Sequence, residues 1–179
     1  MMRKSLIAMI AAMLCGVSAA NATVYTFTFE SAELTAAGQM SVNTAGEVTR
    51  VSGVISGLAN QTISTVAGNP SFPGEAYSPD GLFLYDNLYH ASGMPFDVDG
   101  LLFVTVQNPG GFWNLWGNSP GHYALWESAG GSYPVEESGT VSVAAAPEPS
   151  TWAMLALGLA SLGLVGRRRR AARLAPALG

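Results

Sequence analysis

The chain has 179 residues with a formal net charge of −4, 49% of them hydrophobic and 11% charged, which is room for one ordinary domain plus targeting segments. Its twelve acidic residues all fall between Glu30 and Glu148, whereas every Lys and Arg except Arg50 sits at an end: Arg3 and Lys4, then Arg167, Arg168, Arg169, Arg170 and Arg173. A nucleic-acid partner is excluded, because phosphate neutralisation needs clustered cations, and the recurring aliphatic and aromatic residues exclude a disordered chain.

Arg3 and Lys4 precede an apolar run over residues 6–17, and Ala20-Asn21-Ala22 supplies the small-x-small pattern of a peptidase site. Residues 1–22 are expected to be a secretory signal peptide, cut between Ala22 and Thr23. The apolar run is shorter than the roughly 20 residues of a membrane span. Cys15 follows Leu14, where a lipoprotein signal needs a small residue, and it leaves with the signal. The mature chain then has no thiol, so no disulfide, thiolate metal site or Cys nucleophile.

Residues 23–145 read as β throughout. Over 24–30, Tyr25, Phe27 and Phe29 alternate with Thr26, Thr28 and Glu30. Met40 and Val42 mark a second strand, Asn43-Thr44-Ala45-Gly46 has turn chemistry, and 47–58 reads as one long strand or two broken near Gly53. Residues 63–66 precede a Gly/Pro/Ser-rich loop over 68–78, and further strands are expected at 82–88, 101–107, 112–116, 123–127 and 140–143. No segment carries helical periodicity over three turns. Short strands punctuated by Gly and Pro predict an all-β domain, an antiparallel sandwich or jelly roll, with Ala144-Ala145-Ala146 as a short linker after it.

Four features of this domain invite a chemical role. Gly117-Asn118-Ser119-Pro120-Gly121 matches the G-x-S-x-G nucleophile elbow. Pro120, however, lacks the N–H an oxyanion hole needs, a strand follows where a helix should, and His122 is only three residues from Ser119; a turn is the better reading. Asp97-Val98-Asp99 resembles half of a calcium loop, but Leu101, Leu102 and Asn108 stand where an EF-hand needs a ligand, Gly and Glu. Asp97 and Asp99 remain weak calcium candidates, combined with Asp80 or Asp86 across loops, against the alternative of Asp in tight turns. Trp113, Trp116 and Trp126 lie in an aromatic-rich stretch, as core residues or as a stacking surface for carbohydrate; Trp113 and Trp116 fall on opposite faces of one strand, which leaves one of them open to solvent. Glu136 and Glu137 are adjacent and, if extended, point to opposite faces, so they cannot flank one glycosidic bond. His90 has no evident partner, no His/Cys spacing supports zinc, and no cofactor is implied.

The C-terminal end is the most specific. Pro147-Glu148-Pro149 precedes an apolar stretch over 152–166 with leucines on every face, then Arg167, Arg168, Arg169 and Arg170. The prolines block a helix from extending upstream. A helix over 152–166 would rise about 22 Å, short of a hydrocarbon core of about 30 Å; starting near residue 150 and snorkelling of the Arg stems narrow the gap. One transmembrane helix at about 150–166 is therefore expected, oriented by the arginines with its N-terminal end outside and residues 171–179 as a cytoplasmic tail. Residues 146–170 resemble the PEP-CTERM protein-sorting signal, departing in Ala146, where Val is common, and in the nine residues that trail the arginines. The resemblance implies a Gram-negative bacterial host, recognition by an exosortase-type membrane protease, transient or stable anchoring in the inner membrane, then transfer to the cell surface or release, often with exopolysaccharide or biofilm. Residues 80–127 also look like a passenger type common among small PEP-CTERM proteins, which implies fold and context only. The function expected is that of a non-enzymatic cell-surface or matrix protein; the alternatives are a carbohydrate-binding module for exopolysaccharide and an extracellular hydrolase.

Overall fold

The structure is a computed structural model that describes residues 22–146 and Leu157. It has ten strands: β1 (Thr23–Glu30), β2 (Leu34–Val42), β3 (Val48–Gly57), β4 (Gln61–Val66), β5 (Ala76–Tyr77), β6 (Leu84–Tyr85), β7 (Leu101–Thr105), β8 (Phe112–Ser119), β9 (His122–Ala129) and β10 (Ser132–Ala145). Eight of them close into a barrel in the order β1-β10-β9-β8-β7-β4-β3-β2, and β5 pairs with β6 in a separate two-stranded ribbon.

The expected sandwich or jelly roll is thus corrected to a closed barrel. Closure depends on β10, which pairs with β9 on one side and β1 on the other. Only residues 140–143 of it read as strand in the sequence, because Pro134, the glutamate pair and Gly139 mask the alternation, yet it runs for 14 residues. The predicted Ala linker is corrected with it: Ala144 and Ala145 belong to β10, and Thr26 Oγ1 donates to the Ala144 carbonyl at 3.2 Å. The predicted strand over 82–88 shrinks to Leu84–Tyr85, because Asn87 turns the chain with a φ of 60°.

Strand alternation decides what fills the barrel. Phe27 and Phe29 from β1, Met40 from β2, Ile55 from β3, Ile63 from β4, Phe103 from β7, Trp113 and Leu115 from β8 and Leu125 from β9 form one buried interior cluster. An eight-stranded barrel is just narrow enough for side chains to fill, and each such burial contributes roughly 1.5–3 kcal/mol. Gly38 and Gly53 face each other across β2 and β3; a Cβ on Gly38 would strike the Ser52 carbonyl and stand 3.0 Å from the Phe27 ring. The bare stripe lets the sheet curl under an aromatic ring. With its interior mostly apolar and Thr26, Thr49, Ser56 and Ser64 exposed on its strands, the barrel inverts the pattern of one embedded in lipid.

The segments 1–21 and 147–179, Leu157 aside, lie outside the described residues. They include most of the expected signal peptide, the Pro-Glu-Pro and Arg motifs, and the expected helix at 150–166. Among the described residues no helix is long and apolar enough to cross a membrane.

Candidate functional site

Between β4 and β7 the chain leaves the barrel and runs as a strap over residues 67–100. Asn87 fastens it. Its amide Nδ2 donates to the Ala67 carbonyl at 2.6 Å and its Oδ1 accepts from Leu102 N at 2.9 Å, while its backbone N–H donates to Gly100 O and its carbonyl accepts from Val48 N. One part of the strap lays Phe83 and Tyr85 on the outer face of the barrel against Leu102, Phe112, Trp116, Trp126 and Tyr133. Another joins the interior cluster through Phe96, wholly buried, and Tyr89.

The outer contact contains a box of four aromatic rings. Trp116 and Trp126 are 5.0 Å apart between centroids, Trp126 and Tyr133 5.3 Å, Tyr133 and Phe83 5.4 Å, and Phe83 and Trp116 6.2 Å, each pair tilted by 50° or more. Together with Leu82, Leu84, Val98 and Asn114 they line a cavity of about 190 Å³. Tyr133 Oη is engaged, donating to Leu82 O at 2.8 Å. Asn114 is 3% exposed; its Nδ2 donates to the carbonyls of Leu84 at 3.2 Å and Asp99 at 3.0 Å, and its Oδ1 is buried with no partner. The two carbonyls set the amide orientation, so the orphan is an acceptor.

Beside the box the strap gathers acids. Asp86, Asp97 and Asp99 bring carboxylate oxygens within 4.8 Å of one another, the one such group among the described residues that could hold a metal ion. Burial, with Glu75, Asp97 and Asp86 nearby, pushes the Asp99 carboxyl up to about 6, and burial raises that of Asp86. The oxygens are partly engaged: Asp97 Oδ1 accepts from the N–H groups of Asp99 and Gly100, Asp97 Oδ2 lies 3.3 Å from His90 Nε2, and Asp86 Oδ1 accepts from Leu88 N. The structure therefore joins Asp97 and Asp99 with Asp86 and gives His90 a partner, in an arrangement that local Asx turns explain without an ion. Asp80 stands apart. Burial works against its carboxylate, but hydrogen bonds from Ser128, Ser78 and the backbone outweigh that and hold its pKa below the usual value.

The remaining sequence candidates separate. Ser119 ends β8 and His122 opens β9, paired across a two-residue turn, so the G-x-S-x-G match is a strand–turn–strand hairpin and not a strand–turn–helix elbow. Glu136 and Glu137 lie opposite Trp126 and Leu125 and so point to opposite faces. Trp113 is wholly buried and donates from Nε1 to Gln61 Oε1 at 3.2 Å, out of reach of any ligand in solvent. It belongs to a polar set inside the barrel that sequence reasoning missed, in which Glu127 Oε1 accepts from Gln61 Nε2 and Asn108 Nδ2, both at 2.9 Å. Phe83, Tyr133 and Asn114 were also missed; the box assembles them from segments up to 50 residues apart, and only the surplus of aromatics hinted at it.

Residues 145–170 match the PEP-CTERM protein-sorting motif. The chain carries an exosortase sorting signal. That signal addresses the protein to the membrane-associated exosortase and, by membrane-anchored passage, to the cell surface. The motif begins at the last residue of β10, so it specifies the address and not the work of the barrel. Neither a curated protein nor a solved structure matched the chain.

Proposed function

We propose that this is a non-enzymatic protein of the cell surface or extracellular matrix, exported by a signal peptide over residues 1–22 and associated with exopolysaccharide. The observation that carries the proposal is the sorting motif at 145–170. The side-chain geometry supports the non-enzymatic part: Ser119 ends a hairpin strand, Glu136 and Glu137 diverge, and Asp86 and Asp97 are hydrogen-bonded to their own loops. The aromatic box favours a sharper form, a carbohydrate-binding module, because aromatic faces on an exported domain suit the apolar faces of sugar rings.

The test uses a host that carries an exosortase and makes an exopolysaccharide. Replacing Pro147, Glu148 and Pro149 by Ala should leave export intact and block release, so that fractionation finds a slightly larger, membrane-bound form; release equal to wild type would reduce the tripeptide to a spacer. Released wild-type protein should co-sediment with the purified polysaccharide and leave its chain length unchanged. Depolymerisation would restore the hydrolase alternative.

A further inference from the structure

We infer that the aromatic box holds a single neutral pyranose ring of a polysaccharide and discriminates against uronate units. This rests on the carbohydrate-binding form of the proposal above and adds the ligand's size and charge.

Size comes from the cavity. About 190 Å³ lies below the roughly 300 Å³ at which drug-sized sites begin, so the box accepts one ring, a chain end or a side branch, and not a run of several. Chemistry comes from the walls. Phe83, Trp116, Trp126 and Tyr133 present ring surfaces whose faces are partially negative, complementary to the C–H face of a pyranose. Asn114 contributes a buried carbonyl oxygen without a partner. Leaving such an acceptor unmet is costly; the oxygen has no accessible surface as it stands, and a sugar hydroxyl is a donor that meets it once the Asn114 side chain yields. A purely apolar ligand leaves that oxygen orphaned, and so does a quaternary ammonium group, which suits aromatic faces but has no N–H or O–H to give.

Charge comes from the surroundings. Asn114 holds the carbonyl of Asp99, whose side chain stands with Glu75, Asp86 and Asp97. The one Lys or Arg of the described residues, Arg50, lines a different groove with Gln39, Ser41 and Ser52. A uronate carboxylate in the box would meet ring faces and no cation, in the field of the acids on the adjoining strap, so a site that accepts a neutral ring disfavours an anionic one.

The experiment uses the full chain in a polyoxyethylene detergent, whose headgroup carries no sugar ring. Cellotetraose, mannotetraose, tetragalacturonate and tetramethylammonium chloride are titrated in turn, with tryptophan fluorescence and calorimetry as readouts. At least one neutral tetrasaccharide should bind at one site per chain, at least tenfold more tightly than tetragalacturonate, and tetramethylammonium should not displace it. Trp126→Ala should weaken that binding at least tenfold. Val98→Trp should do the same by closing the mouth from a rim position that is 65% exposed, where the added ring leaves the fold intact. Equal binding of tetragalacturonate, displacement by tetramethylammonium, or wild-type binding by Val98→Trp overturns the inference. Failure of both neutral sugars also overturns it; if the host's own exopolysaccharide still co-sediments, the broader proposal stands and its contact lies elsewhere, and if that fails too, both fall.

Discussion

Replacing Asn87 tests whether one side chain fastens the strap to the barrel. The residue is 2% exposed, sits at a φ of 60°, and joins Ala67, at the end of β4, to Leu102 on β7 through its amide. Asn87→Ala leaves the buried Leu102 N–H and the Ala67 carbonyl unmet, at about 1–3 kcal/mol for each, and puts a residue with a Cβ and no local hydrogen bond into the left-handed region, at about 1 kcal/mol. The expected loss is about 3–7 kcal/mol, a large share of the 5–15 kcal/mol that holds a typical domain. For a domain of this size that lowers Tm by about 10–30 °C. Asn87→Gly relieves the backbone term and keeps the hydrogen-bond loss, so it should fall between Ala and wild type. Urea unfolding followed by tryptophan fluorescence measures all three. A loss under about 1 kcal/mol for Ala, or Gly less stable than Ala, would refute the fastening role.

Four further outcomes are expected. Gly38→Ala drives a Cβ into the Ser52 carbonyl and to 2.9 Å from Gly53 Cα, both backbone, and should cost at least 2 kcal/mol, read as a lower urea midpoint; a neutral result would mean that β2 and β3 separate freely. The folded Asp99 carboxyl is raised from 3.8 to about 6, so it binds its proton more tightly folded than unfolded: its contribution is full below pH 3.8 and is lost as pH rises through about 6, and Asp99→Asn should flatten the fall of Tm between pH 4 and 7. On the proposed cleavage after Ala22, which removes Cys15, and with the Asp97 oxygens engaged by their own loop, Tm in chelator and reductant should equal that without them, and a drop of several degrees would make Asp86, Asp97 and Asp99 ligands. Trp113→Phe should cost about 1–3 kcal/mol through lost volume and the lost Nε1–Gln61 hydrogen bond, with Thr105 Oγ1 still donating to Gln61 Oε1, without changing saccharide binding; weakened binding would place the ligand inside the barrel.

Local pattern was legible wherever it repeated. The alternation of Tyr25, Phe27 and Phe29 marks β1, and Pro120-Gly121 marks the β8–β9 turn, because both signals lie within a few residues. Closure was not legible, since β10 hides its period behind Pro134 and Gly139 and its pairing with β1 joins segments more than a hundred residues apart. At the candidate site, Trp116 and Trp126 stood out by type, and their outward direction follows from the parity that buries Trp113 and Leu125. Phe83 and Tyr133 did not stand out, because nothing in the composition of the strap says where on the barrel it lands. Asn114 reads as an ordinary strand polar residue until Leu84 and Asp99 occupy its amide and leave its oxygen alone.

The seam between β1 and β10 has a consequence for biogenesis. The first strand to emerge from a translocating chain is β1, and its second partner is the last. Until residue 145 is through, β1 and the growing sheet present open edges, the state most prone to pairing with other chains. The barrel therefore completes late, by a contact of the highest sequence separation it contains, and such contacts form slowly. The sorting motif starts where that seam strand stops. Membrane-anchored passage to the cell surface is then also an interval in which the seam can close.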